Sequence, residues 1–106
     1  MYYVYIVRCE GNFLYTGITT NLKRRFSQHK GEKVGGAKYT HSHKVLKIEC
    51  VFSAENRSQA SRLEYRIKTL AKDKKERLIE NPSLLGEFWG DTLDTSQYKY
   101  VKGPTD

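Results

Sequence analysis

The first eighteen residues constrain the fold more than any other part of the chain. Two runs rich in β-branched and aromatic residues, "YYVYIVRC" at 2–9 and "FLYTGI" at 13–18, are separated by "EGN" at 10–12. Residues of these types favour strands, and both Gly11 and Asn12 can adopt a positive φ. The pattern predicts an antiparallel β-hairpin at the start of the chain.

The length of the turn determines which side chains share a face of this hairpin. If the turn is the three residues 10–12, Tyr5 lies opposite Gly17, and Tyr15 lies on the same face as Tyr5. A turn of two residues would place the two tyrosines on opposite faces, and the sequence leaves both registers open. With the longer turn, Gly17 is expected to leave open space beside Tyr5, where another molecule could approach the backbone.

A helix signal and a strand signal follow the hairpin. Thr20 or Asn21 can cap a helix that runs to about Lys30. The segment 31–44 is rich in glycine and cationic residues and is predicted to be a loop. The run "VLKIECVF" at 45–52 alternates apolar and polar residues, which predicts a third strand.

Two further helices complete the predicted domain. Asn56 or Ser58 can begin a second helix with an apolar stripe formed by Ala60, Leu63, Ile67, Leu70 and Ala71. The charged run "KDKKERLIE" at 72–80 predicts a third helix, which the following Asn-Pro pair ends. The order β-β-α-β-α-α predicts an α+β fold, a small three-stranded antiparallel sheet flanked by three or more helices. We expect this domain to span residues 1–82 and residues 83–106 to form a partly packed C-terminal appendage.

Composition and charge narrow the class of protein. A chain of 106 residues forms one compact core, and a net charge of +7 favours an anionic partner such as nucleic acid. No apolar run approaches the length of a membrane helix, and no secretory signal is evident. We therefore expect a cytoplasmic protein without a membrane partner, associated with the nucleoid in a bacterium or the nucleus in a eukaryote. Cys9 and Cys50 lack the spacing of a metal site and are expected to be thiols.

The predicted first helix carries two polar residues at its apolar edge. At 3.6 residues per turn, Arg25 and His29 lie within about 60° of Leu22, whereas Arg24 points nearly the opposite way. Arg25 and His29 are therefore predicted to lie close together and to face the sheet. A buried arginine–carboxylate pair and a core histidine would give the same pattern, so the spacing leaves that alternative open.

A lone carboxylate lies beside the apolar stripe of the predicted second helix. Glu64 is about 60° from Ile67 around the helix, where it could form a salt bridge with a nearby cation or bind a metal. Two tyrosines, an arginine, a histidine and one carboxylate are suited to cleaving a phosphodiester. A hard cation such as Mg²⁺ needs few protein oxygens, arginine can hold a phosphate oxygen, and tyrosine or histidine can accept a proton from water.

The order of these residues resembles that of the GIY-YIG nuclease family. "YVY" at 3–5 is similar to the family's first motif and "YTG" at 15–17 to its second, with Tyr3 in place of a glycine and Thr16 in place of an isoleucine. The resemblance covers roughly residues 2–80. It is greatest to the small stand-alone, single-domain members, and more distant to the nuclease domain of structure-selective junction and flap nucleases.

The resemblance implies a metal-dependent endonuclease that hydrolyses phosphodiester bonds of DNA. Glu64 would bind one divalent cation, Mg²⁺ or Mn²⁺, and Arg25 would contact the scissile phosphate. Tyr5, Tyr15 or His29 would take the proton from the attacking water, with Tyr5 favoured as base or water positioner. A nearby cation is expected to help by favouring the phenolate.

Several residues are candidates for further contacts to nucleic acid. Gly17 would allow close approach, while cations and an aromatic ring in and beside the 31–44 segment could follow the backbone and stack on a base. These residues are Lys33, Lys38, Tyr39 and Lys44. A solvated loop is an equal alternative for them. Asn81 is a further candidate, although its place before Pro82 equally indicates the end of a helix.

The expected substrate is single-stranded, flapped or branched DNA in repair, recombination or processing. Since no helix-turn-helix or zinc finger is present in the sequence, specificity would come from nucleic-acid shape or from a protein partner. The oligomeric state is not specified by the sequence. The alternative is a nucleic-acid-binding module with the same fold and little or no cleavage activity. Recruitment of a partner through Trp89 and the appendage is compatible with either function.

Overall fold

In a computed structural model, residues 1–29 and 44–101 are described, with the side chains of residues 28 and 29 excluded. Residues 31–43 of the predicted 31–44 loop therefore lie outside the described residues. The elements in chain order are β1 (Tyr2–Cys9), β2 (Phe13–Thr19), α1 (Leu22–His29), β3 (Val45–Ala54), α2 (Arg57–Lys68), α3 (Lys72–Glu80), α4 (Leu84–Trp89) and β4 (Lys99–Tyr100). Short 3₁₀ turns lie at Glu10–Asn12 and Thr95–Gln97.

The strands form one antiparallel sheet in the order β2-β1-β3-β4. The predicted α+β fold with an antiparallel sheet is confirmed, but the predicted number of three strands is wrong. The fourth strand is Lys99–Tyr100, which pairs with Ser53 and Phe52 at the end of β3. Two residues are too few to show an alternating pattern, so this strand could not be predicted from periodicity.

The hairpin turn has three residues, which resolves the open question of register. Gly11 has a φ of 78° and Asn12 a φ of 66°, in the left-handed region that glycine and asparagine adopt most readily. The turn aligns Val7 with Tyr15, and Tyr5 with Gly17. The register with both tyrosines on one face is confirmed.

Helices cover both faces of the sheet. Helices α2, α3 and α4 pack over the larger core, which contains Val4, Ile6 and Phe52, and α1 packs over the face that carries Val7 and Val51. Leu85, Leu93 and Tyr98, which follow residue 82, are buried in the larger core. The domain boundary at residue 82 stays a prediction. No helix within the described ranges is long and apolar enough to cross a membrane.

Asparagine side chains cap the two helices that flank the edge of the sheet at β2. Asn21 Oδ1 accepts from the Arg24 backbone N–H at 3.0 Å, and Asn56 Oδ1 accepts from the Gln59 backbone N–H at 2.9 Å. Asn21, rather than Thr20, is therefore the cap of α1. The predicted apolar stripe of α2 is buried at Ala60, Leu63 and Ile67, whereas Leu70 and Ala71 lie beyond the helix end.

Arg8 connects the hairpin to β3 and α3 through hydrogen bonds of its side chain. Its guanidinium donates two hydrogen bonds of 2.6 Å to the Glu76 carboxylate, one of 2.8 Å to Glu49 and one of 2.8 Å to Asn12 Oδ1. Lys72 Nζ also contacts Glu76, at 2.7 Å. These hydrogen bonds, from Arg8 first, lower the pKa of Glu76 to about 2.

The Arg8–Glu76 pair makes folding stability depend on pH. Because the folded-state pKa of Glu76 is below its ordinary value, the stabilisation is complete above about pH 5 and is lost as the pH falls towards 2. We expect Glu76→Gln to lower the free energy of unfolding at pH 7 by about 1.5–3 kcal/mol and to flatten its decline between pH 5 and 2. Urea denaturation across this pH range measures both effects. Glu80→Gln, at an exposed position one turn later, is the control and should keep the wild-type profile.

Two threonines of β2 are buried in different hydrogen-bonding environments. Thr16 is 3% exposed, and its hydroxyl has no hydrogen-bond partner in the described part of the chain. Thr19 is 6% exposed, and its hydroxyl accepts from the Asn21 N–H at 3.1 Å and contacts the Asn21 carbonyl at 3.2 Å. A buried polar group without a partner destabilises the fold, so these two hydroxyls should have opposite effects.

The isosteric change to valine tests this contrast. Thr16→Val should raise the free energy of unfolding by about 1 kcal/mol, because it removes an unpaired buried hydroxyl. Thr19→Val should lower it by about 1 kcal/mol, because it leaves the backbone of Asn21 without that contact. Chemical denaturation of both variants measures these changes in the free energy of unfolding. A loss of stability in Thr16→Val would show that its hydroxyl has a partner in the folded protein.

Candidate active site

A cleft of about 520 Å³ lies at the β2 edge of the sheet. Within the described residues, β2 pairs with a strand on one side only, and α1 and α2 flank it from opposite faces. The cleft is lined by residues of β1, β2, α1, α2 and the turn after β2. It therefore opens where side chains from both faces of the sheet can meet.

Five of the predicted site residues line this one cleft. They are Tyr5, Tyr15, Gly17, Arg25 and Glu64. They come from β1, β2, α1 and α2, and the first and last are far apart in the sequence. The fold thus brings together residues that the sequence could associate only through their types and order.

The phenol of Tyr5 lies directly over the backbone of Gly17. A Cβ atom on residue 17 would be 2.5 Å from Tyr5 Oη and 2.8 Å from its Cζ, so no larger residue fits there without displacing the ring. The expectation of open space beside Tyr5 is wrong, because the ring itself fills that space. The ring of Tyr15 is tilted by 49° to that of Tyr5, with centroids 6.4 Å apart.

Burial is the main influence on the pKa of Tyr5. Its side chain is 3% exposed, and burial, followed by the neighbouring Tyr15, raises the pKa of Tyr5 above its ordinary value of 10.0. Arg25 acts in the expected direction and lowers this pKa, but burial outweighs it, and Glu64 raises the pKa further. Tyr5 is therefore a protonated hydroxyl at neutral pH, able to donate a hydrogen bond.

Arg25 is half-buried between α1 and the sheet. It lines the cleft and also a void of about 10 Å³, the size of one water molecule, together with Tyr5, Leu22 and Phe26. This placement confirms that Arg25 faces the sheet. A half-buried arginine can lay its aliphatic stem along apolar residues while its guanidinium reaches a more polar surface.

Arg24 also lines the cleft, although its side chain is exposed. Its exposure agrees with the predicted direction away from Leu22, but this direction does not exclude Arg24 from the cleft. The helical angle described its direction relative to the apolar stripe of α1, but the cleft lies beside the first turn of this helix rather than beneath it. A long arginine side chain at position 24 can reach the opening from the solvent side.

Glu64 forms the salt bridge that its position in the sequence allowed, and its carboxylate also faces the cleft. Its side chain is 21% exposed, Oε2 lies 3.2 Å from Lys68 Nζ, and the carboxylate lines the cleft. No group of three or more candidate metal ligands occurs among the described residues, and Glu64 is the one carboxylate that lines the cleft. Its oxygens suit a hard cation whose other ligands are phosphate and water.

Two polar residues of α2 belong to the cleft and were missed from the sequence. Arg57 and Ser61 line it beside Glu64. The three residues follow one another at intervals of four and three along α2, so they lie on one face of the helix. Applying helical periodicity outwards from Glu64 would have found both.

Lys44 and Asn81 lie outside the cleft. The carbonyl of Lys44 accepts from the Glu10 N–H at 2.8 Å, which places Lys44 beside the hairpin turn, at the far end of β1 from Tyr5. Asn81 Oδ1 accepts from Ser83 Oγ at 2.6 Å, and Asn81 lines a separate cavity near β4. Four predicted site residues lie outside the described parts, namely Lys33, Lys38, Tyr39 and the side chain of His29.

Comparison with known proteins identifies the family of the chain. Residues 1–77 match the GIY-YIG catalytic domain. A UPF0213 protein of Fusobacterium nucleatum is 48% identical over 81 residues, which are 76% of this chain and 79% of the relative. The UPF0213 protein YhbQ of Escherichia coli is 39% identical over 98 residues, 92% of this chain and 95% of the relative.

A solved structure is also similar to the chain. The solution NMR structure of a UPF0213 protein from Bacillus halodurans is 36% identical, with a TM-score of 0.46, and the match covers 76% of this chain and 84% of that one. The domain match spans most of the chain, and the sequence relatives are similar over most of their own length. The chain belongs to the GIY-YIG catalytic domain family, and its relatives include small UPF0213 proteins.

Proposed function

We propose that this protein is a metal-dependent endonuclease that hydrolyses phosphodiester bonds of single-stranded, flapped or branched DNA. The GIY-YIG domain implies nuclease-type activity. The observation that carries the proposal is the convergence of Tyr5, Tyr15, Arg25 and Glu64, from four elements, on one cleft. Repair, recombination or DNA processing is the setting in which such substrates arise.

Glu64 is the residue that would hold the metal ion. One Mg²⁺ or Mn²⁺ there would polarise the phosphate and stabilise the leaving oxygen. The fit rests on donor chemistry, since a carboxylate, a phosphate oxygen and water are the ligands that these hard cations take. Lys68, at 3.2 Å from Oε2, orients the carboxylate.

Three arginines give the cleft its affinity for phosphate. Arg25 is half-buried and would hold a non-bridging oxygen of the scissile phosphate, where negative charge increases during attack. Arg24 and Arg57 are exposed at the opening and would contact neighbouring phosphates. Three arginines are more than a single phosphate group needs. Their number indicates a substrate with several phosphates, such as a polynucleotide.

The protonated hydroxyl of Tyr5 suits positioning better than proton abstraction. As a donor over Gly17 it would orient the attacking water or a phosphate oxygen. The proton acceptor would then be Tyr15, whose ring lies beside that of Tyr5, or His29. This assignment separates the two tyrosines, which the sequence could not.

Replacing Glu64 is the first test of the proposed function. Glu64→Ala should lower cleavage by about 1,000-fold, because several kcal/mol of metal-dependent stabilisation are lost, while DNA binding is retained. The assay compares labelled single-stranded, duplex, flap and junction DNA with Mg²⁺ or Mn²⁺ and with a chelator. Glu55→Ala, an exposed position just before α2, is the control.

Cleavage by Glu64→Ala at the wild-type rate would contradict the metal site. Binding without cleavage by the wild-type protein on every substrate would instead support the alternative, a binding module with the same fold. A requirement for a protein partner is distinguished from that alternative by adding cell extract depleted of metal-dependent nucleases and repeating the Glu64 comparison.

Replacing the two neighbouring arginines, Arg24 and Arg25, should change different kinetic constants. Arg25→Ala should lower kcat by about 100- to 1,000-fold, as loss of one transition-state donor does. Arg24→Ala should mainly raise KM and reduce the salt dependence of binding by about one phosphate contact. Steady-state kinetics at several salt concentrations measure both. Equal losses in kcat would show that exposed and half-buried arginines act on the same phosphate.

A further inference from the structure

Tyr65 is the most exposed aromatic residue in the described ranges. Its exposed fraction is 70%, and its side chain makes no hydrogen bond or ring contact with the described part of the chain. Tyrosine also has a lower helix propensity than residues such as alanine or lysine. Neither packing nor helix formation in the described fold accounts for an aromatic ring at this position.

Tyr65 lies next to residues of α2 that line the cleft. Tyr65 follows Glu64 directly and lies one turn of α2, about 5.4 Å, beyond Ser61, which lines the cleft. At 3.6 residues per turn it is about 40° from Ser61 and nearly opposite the buried Leu63 and Ile67. A polymer that leaves the cleft across Ser61 reaches Tyr65 next.

Cationic residues flank the ring on both sides. Arg62 precedes Tyr65 by three residues and is exposed, and Lys68 follows it by three residues with 50% of its side chain exposed. Arg57 continues the same surface into the cleft. An exposed aromatic ring between cations is the combination that binds single-stranded nucleic acid, because phosphates meet the charges and a base stacks on the ring.

We infer that Tyr65 is a stacking platform for an unpaired base of the strand that leaves the cleft, so that the substrate is single-stranded beside the scissile phosphate. This inference rests on the proposed function and names its substrate class. A duplex would not use the platform, because its bases are stacked inside the helix. The partner is therefore a single strand or the unpaired arm of a flap.

Binding to a short fluorescein-labelled single strand, in a chelating buffer that prevents cleavage, tests the platform. Tyr65→Ala should weaken binding by about 5- to 150-fold, the range for loss of one base–aromatic stack. Tyr65→Phe should bind like the wild type, since the ring is kept. Affinity for a duplex of the same sequence should be unchanged by either substitution.

Tyr100→Ala is the matched control. Tyr100 is 49% exposed and lies on β4, at the opposite edge of the described sheet from β2. Its removal should leave single-strand binding unchanged. The salt dependence of single-strand affinity adds a second criterion. Tyr65→Ala should lower the affinity at every salt concentration without changing the slope of log affinity against log salt concentration. Arg62→Ala should reduce that slope by about one phosphate contact.

Wild-type affinity of Tyr65→Ala for the single strand would overturn the inference, as would an equal loss on the duplex or an equal loss from Tyr100→Ala. These results are separate from a failure of the proposed function. If the wild type cleaves in a Glu64-dependent way while Tyr65→Ala binds normally, only the stacking inference fails. If no substrate is cut but Tyr65 is needed for single-strand binding, Tyr65 remains a stacking platform for a single strand, while the nuclease proposal and the placement of the platform beside a scissile phosphate both fail.

Discussion

The contact between the Tyr5 phenol and the backbone of Gly17 is the constraint on which the cleft depends. It exists because the hairpin turn has three residues, with positive φ at Gly11 and Asn12, and so aligns Tyr5 with Gly17. A slip of one residue would turn every side chain of β2 to the other face. The phenol would then meet a side chain in place of the glycine, and Tyr15 would leave its face.

The register is held from outside the hairpin as well. Asn12, which supplies one of the positive φ angles, also accepts a hydrogen bond from Arg8, and the same guanidinium binds Glu49 on β3 and Glu76 on α3. The turn is therefore fixed to a neighbouring strand and to a helix on the larger core. Because the Arg8 and Glu76 side chains are partly buried, each would be costly to leave without its partner.

Individual helices and strands could be predicted from the sequence better than the cleft, because the cleft is lined by residues of several elements. Periodicity and capping residues identified the hairpin, β3 and the first three helices, because these signals lie within a few residues of one another. The two-residue β4 had no such signal. The place of Arg24 in the cleft could not be predicted, because helical angles refer to the core and not to a cleft beside the helix. The residue types around Tyr5 and Glu64 could be identified from the sequence, but the burial that raises the pKa of Tyr5 depends on packing.

The edge of the sheet is the one place where this set of residues can meet. Tyr5 and Arg25 belong to the face covered by α1, whereas Glu64 comes from the helix on the other face. In the middle of a sheet the backbone separates the two faces, so side chains of opposite faces do not share a site. At β2 the absence of a side chain on Gly17 lets the phenol extend across the edge strand towards the carboxylate. An unpaired sheet edge is an aggregation risk, and in the described part of the chain the β2 edge forms the wall of a cleft instead.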